Sequence, residues 1–203
     1  MFLLHKISCH IKEHKFSYLL LLCIIFVGFL SGCFYCNLIS DTELRDAGMQ
    51  AEEFIKIAKE NELDFRLMLC EELSSYLLIA LFSLFLPGFL FTIFLVFKWG
   101  FSTGFFLTFL VKYFAVKGFF LSGLFLFLQL VFLLPALLAT ANQSLSVNRF
   151  LIASSLRGAP AKNSLISELL VMAIITLAVI LFVMLAVGLK LTILPPFCNY
   201  LFL

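Results

Sequence analysis

Cys33 and Cys36 stand in a C-x-x-C spacing, Cys33-Phe34-Tyr35-Cys36. That spacing supports dithiol redox chemistry when it sits beside a βαβ unit. Here it closes a long apolar run, and no second pair completes a zinc site. Leu30-Ser31-Gly32-Cys33 also has the form of a bacterial lipobox, where a signal is cut and the cysteine acylated. The apolar residues from Phe34 to Ile39 carry the run past that cut, as an uncleaved anchor would. His5, His10 and His14 all precede the run and fit an interfacial tail better than a metal site. Glu52-Glu53 and Glu71-Glu72 are paired carboxylates without an Arg or His at catalytic spacing. Neither His-Glu-x-x-His nor Gly-x-Ser-x-Gly occurs. The expectation is a non-enzyme, with no catalytic residue, metal or cofactor.

The elements that carry these residues must live in a membrane. Of 203 residues, 63% are hydrophobic and 13% charged, and mean hydropathy is +1.13. A soluble domain is about 25% charged, and a small one leaves much of its surface in water. Soluble enzymes, disordered chains and nucleic-acid binders are thereby excluded, and a net charge of +2 points to no charged polymer as partner.

A span needs about 20 apolar residues. The runs at 16–39, 74–97, 99–117, 118–141 and 165–189 predict an all-α, polytopic helix bundle with five spans. Lys6, Lys12 and Lys15 before the first span, and Asp41 and Glu43 after it, put the tail 1–15 in the cytoplasm. Lys98 and Trp99 read as an interfacial anchor ending the second span. The third run is short. It crosses only if it continues through Lys112 to Lys117, with Lys112 snorkelling; otherwise it is re-entrant. Five spans leave Arg149, Arg157 and Lys162 in a cytoplasmic loop, 142–164, turned by Gly158 and Pro160.

The segment 40–73 lies outside, with ten acids against four bases. Phe54, Ile55, Ala58, Phe65, Met68 and Leu69 recur at roughly helical spacing. The segment reads as an amphipathic helix on the outer membrane surface or on a partner, or as a solvated connector. Glu52, Glu53, Phe54 and Phe65 are its partner-contact candidates. Within the spans, Gly100, Gly104 and Thr108 repeat every four residues, as do Gly28 and Gly32. Such faces let helix backbones approach, inside one bundle or between subunits of a homo-oligomer. Gln129 needs a partner in another helix, and Pro135 should kink its own.

Three stretches together resemble the stage II sporulation protein M family: Phe97-Lys98-Trp99-Gly100-Phe101-Ser102-Thr103-Gly104-Phe105-Phe106, then Val116-Lys117-Gly118-Phe119-Phe120, then Gln129 to Pro135. The likeness is continuous over about 85–140. The family's Pro-Gln-Asn is here Leu128-Gln129-Leu130. The resemblance implies a multi-pass protein of the mother-cell engulfing membrane, active in endospore formation. It also implies a non-enzymatic scaffold that localises two membrane-anchored peptidoglycan hydrolases, stage II sporulation proteins D and P. Their contact surfaces would be the 40–73 helix and the Gly100/Gly104 face. The rival reading is a transporter permease subunit, coupled to a cytoplasmic ATPase through the loop 142–164.

Overall fold

The computed structural model describes residues 15–60, 63–157 and 162–202. The histidine cluster and the Gly158–Pro160 turn lie outside the described residues. The described chain is all helix: α1 (Lys15–Leu38), α2 (Asp41–Lys59), α3 (Phe65–Phe82), α4 (Gly88–Leu128), a π segment (Gln129–Leu133), α5 (Leu134–Arg157) and α6 (Lys162–Leu201). Three stretches are long and apolar enough to cross a membrane: Lys15–Leu38, Gly88–Ser155 and Ile166–Leu201. The protein is a helical membrane bundle.

Contacts between helix ends define two ends of the bundle. Arg149 of α5 donates to Ser17 Oγ of α1, 2.9 Å, and Thr92 of α4 shares a 2.7 Å hydrogen bond with Ser144 of α5. Ser83, just after α3, reaches Met172 of α6. These groups mark one end, where α1 starts and α3 finishes. At the other, Lys59 Nζ of α2 donates to the Phe202 carbonyl beyond α6, 3.1 Å. The chain therefore runs between the ends five times, through α1, α3, the two arms of α4 with its continuation, and α6.

The fold-back within α4 is made at Ala115, whose φ of 49° and ψ of −122° break the helix into arms 88–114 and 116–128. Gly118 sits against the Leu110 carbonyl, where an added Cβ would lie 1.8 Å from that oxygen. The Phe106 and Phe125 rings meet edge to face at 5.2 Å. Residues 19 apart in one straight helix would be about 28 Å apart, so the arms are antiparallel. The third run is thus the first arm of an antiparallel helical hairpin. The arm 88–114 is roughly 40 Å long at the helical rise.

Several sequence boundaries are corrected. The run 74–97 is not one helix. α3 ends at Phe82, an apolar turn follows, and α4 begins after Pro87. The span 99–117 starts eleven residues earlier, at Gly88. The segment 142–164 is not a loop as far as Arg157, because α5 continues through it with Asn142, Gln143, Ser144 and Asn148 buried. The last helix passes Lys190 and runs through Pro195 and Pro196 to Leu201.

The amphipathic helix expected over 40–73 is α2 only as far as Lys59; Phe65, Met68 and Leu69 belong to α3, whose N-cap is Asp64. Ser40 and Glu43 close a capping box at the start of α2. Its apolar side docks on its own chain: Ile55 and Ala58 are buried in a cluster with Leu110, Leu194 and Cys198. Gly48 lies flat beneath the Tyr113 ring, whose hydroxyl donates to Glu52 Oε1 at 2.9 Å.

Candidate functional site

The glycine stripes meet each other. A Cβ on Gly28 would approach the Phe97 carbonyl to 2.5 Å, and one on Gly32 the Phe101 carbonyl to 2.1 Å. From the facing helix, a Cβ on Gly100 would approach the Ile25 carbonyl to 2.4 Å, and one on Gly104 the Phe29 carbonyl to 2.1 Å. Two small-x-x-x-small faces thus interlock α1 with the first arm of α4, backbone on backbone. Cys33 Sγ seals the seam by donating to the Gly104 carbonyl at 3.5 Å. The Gly100/Gly104 face is therefore occupied within the chain, and the expectation that it meets a hydrolase is overturned. Thr108, next on the stripe, is half-buried. Cys33 and Cys36 are both free thiols inside α1, Cys36 fully buried.

The seam also sets the depth of its neighbours. Gly100 packs on Ile25, near the middle of α1, so Lys98 and Trp99 lie at mid-depth. They are not the interfacial anchor that the sequence suggested. A lysine at such depth is costly and marks a functional site unless something meets it. Beside it, α3 brings Glu71 and Glu72 in its second turn, and α6 brings Lys190.

These side chains surround a cavity of about 490 Å³, lined by Glu71, Glu72, Ser74, Ser75, Lys98, Trp99, Ser102, Thr103, Gln129 and Lys190, with apolar walls from Leu95, Phe106 and Phe125. Lys190, 3% exposed, forms an ion pair with Glu72. It is the one ion pair among the described residues. Glu71 and Lys98 are exposed on the open side and have no ion-pair partner. Gln129 Oε1 is buried without a hydrogen-bond partner.

Gln129 opens the π segment, in which the Leu134 N–H reaches back five residues to the Gln129 carbonyl. Pro135 explains the extra residue. It has no N–H to donate, and its ring collides with the carbonyl four residues back. The widened turn relieves that collision, so Pro135 acts through a π bulge. Tyr76, buried on α3, donates to the Leu133 carbonyl at 3.2 Å. Trp99, Thr103 and Gln129 also line a second, apolar cavity of about 400 Å³, walled by Leu22, Ile25, Phe26 and Phe29 of α1 and by Leu126, Leu130 and Leu134.

Of the outer candidates, Glu53 is exposed, Glu52 is held by Tyr113, Phe54 is half-buried against the second core, and Phe65 is 37% exposed at the start of α3. The Glu72–Lys190 pair was missed in sequence because 118 residues separate its members. The available signal was the apolar continuation from Leu191 to Leu194, which makes Lys190 an interior residue. No family model, characterised protein or solved structure matches the chain.

Proposed function

We propose that the chain is a non-enzymatic membrane scaffold that localises membrane-anchored peptidoglycan hydrolases at the septum for forespore engulfment. It would do so in the mother-cell engulfing membrane, with partners of the kind of stage II sporulation proteins D and P. The residues of the resemblance support this reading, since Gly100, Gly104 and Lys117-Gly118 build the α1–α4 seam and the fold-back. The observation that carries it is α2. Its apolar side is docked on the bundle, while Glu43, Asp46, Glu53 and Glu60 remain exposed beside only Arg45 and Lys56. A tethered, outward acidic face at one end of the bundle suits a basic surface on an extracytoplasmic partner.

The test is a cross-linked pull-down from sporulating cells, comparing the native chain with Asp46→Lys/Glu53→Lys. Hydrolases recovered with the native chain and lost with the variant are expected. Hydrolases absent from both, or retained by both, overturn the assignment of this surface. A permease subunit is the second reading, favoured by the polar mid-depth cavity. Its coupling loop is weakened, since α5 buries Asn142, Gln143, Ser144 and Asn148. Recovery of an ATPase without hydrolases would select it.

A further inference from the structure

α3 and the first arm of α4 form a hairpin closed by the turn 83–87, and the Phe82 and Phe91 rings stack beside that turn at 4.5 Å. Glu71 stands eleven residues before the end of α3, and Lys98 ten residues after the start of α4. At the helical rise these positions are about 17 and about 15 Å from the turn. The two charges therefore lie at nearly one depth, near the middle of a hydrocarbon core of about 30 Å. Both line the polar cavity, both are exposed, and they do not pair with each other. Ser74 and Ser102, one turn along each helix, are exposed beside them.

We infer that this face is the interface of a symmetric dimer, in which a second copy of the chain sets its Lys98 against Glu71 and its Glu71 against Lys98.

Three observations select a second copy as the occupant. The first is charge. An exposed charge at mid-depth is costly unless something meets it. Lipid acyl chains meet neither Glu71 nor Lys98, and a partner of one sign meets one and repels the other. A second copy brings one acid and one base. The Glu72–Lys190 pair behind them is already neutral and leaves that balance unchanged.

The second is depth. Two copies inserted the same way are related by a two-fold axis along the membrane normal, and such an axis leaves the depth of every residue unchanged. A reciprocal contact, in which one residue meets another and is met by it in return, then requires both members at equal depth. Counting from the turn places Glu71 and Lys98 within about 2 Å of that condition. The third is side-chain size. Interfaces between membrane helices are enriched in small residues that let the backbones approach, and Ser74 and Ser102 supply them next to the charges.

The test uses the full chain carrying either of two affinity tags, co-expressed and extracted in mild detergent, with native mass spectrometry counting the copies. The native chain is expected as a dimer. Glu71→Lys leaves two bases on the face and Lys98→Glu two acids, so each variant alone should self-associate about tenfold more weakly. Co-expressed, these two variants should pair with each other in preference to themselves. The double variant Glu71→Lys/Lys98→Glu should restore self-association. Glu71→Gln and Lys98→Gln each remove one charge and should also weaken the dimer; they replace the reversals if those yield no monodisperse species. A native chain that stays monomeric, or retains lipid in place of a second copy, overturns the proposal. So does a dimer indifferent to these variants, or one in which the two reversed chains show no preference for each other. The readout involves no hydrolase and stands or falls apart from the scaffold reading.

Discussion

The seam between α1 and α4 and the cavity between α3, α4 and α6 share one stretch of chain, yet they are built from opposite materials. The seam has no side chains to speak of. Gly28, Gly32, Gly100 and Gly104 bring carbonyl against Cα, and its cohesion is close van der Waals contact. The cavity one helical face away holds four charged side chains, an unpartnered amide oxygen and open volume. The seam fixes α4 at a depth and rotation that puts Lys98 and Trp99 at the cavity wall. The rigid seam and the charged cavity thus occupy different faces of a single arm.

If that division holds, the seam should fail first and most severely. Gly104→Leu would drive a side chain into the Phe29 backbone, which cannot yield as a flexible side chain would. The expected result is loss of folded protein, a cost well above the roughly 1–3 kcal/mol of ordinary overpacking, read as failure to extract a monodisperse species in mild detergent. Gly123→Leu is the control, since a Cβ there meets nothing within 4 Å. Equal behaviour of the two would mean that the seam is not the rigid partner in the comparison.

The cavity should respond to charge, not to size. Lys190→Ala leaves Glu72 facing the cavity without its partner and should destabilise the bundle by about 3 kcal/mol. The double variant Lys190→Met/Glu72→Leu removes both charges and should recover most of the loss. Unfolding in a graded harsh detergent distinguishes the two, and equal loss in single and double variants would show that packing, not charge, governs this wall.

How far the sequence discloses each region follows from this contrast. The all-helical bundle, five passes and an amphipathic α2 are legible because apolar runs and flanking charges are strong signals. Boundaries are less so where a turn is as apolar as the helices around it. Leu84-Phe85-Leu86 offers no change in hydropathy, and only Pro87 marks the break between α3 and α4. Lys98 and Lys190 read as helix ends because a charge in a membrane usually lies at an interface. Lys190 is instead buried against Glu72, and Lys98 lines the open side of a polar cavity, because residues far away in sequence meet them there. The reverse error arises in α5. Asn142 to Asn148 looks like the start of a polar loop, but Ser144 and Gln143 are engaged by neighbouring helices in the Thr92–Ser144 and Gln143–Glu168 contacts. The glycine repeats are visible in sequence as two spacings, whereas their mutual engagement is a property of the fold alone.

The fold-back tests the comparison at the point where α4 turns from the seam toward the cavity. Ala115 has a positive φ, where a Cβ is crowded and glycine is not. Ala115→Gly should therefore stabilise the hairpin by roughly 1 kcal/mol, and Ala115→Val should destabilise it by a similar or larger amount. A higher melting temperature for the glycine variant in detergent is the expected reading. No gain would mean that the chain entropy added by glycine offsets the relieved strain.

The smallest effect belongs to the polar layer at the far end, where Thr92 and Ser144 share their 2.7 Å hydrogen bond. Both hydroxyls are buried, and Thr92 also donates to the Gly88 carbonyl at 3.0 Å. Hydrogen bonds between membrane helices average about 0.6 kcal/mol, because the separated helices find other partners. Ser144→Ala should cost about that much, and Thr92→Val about the same or slightly more. The double variant should lose less than the sum, because removing either partner already breaks the shared bond. An additive double variant would show two independent helix-capping bonds instead of one link between α4 and α5.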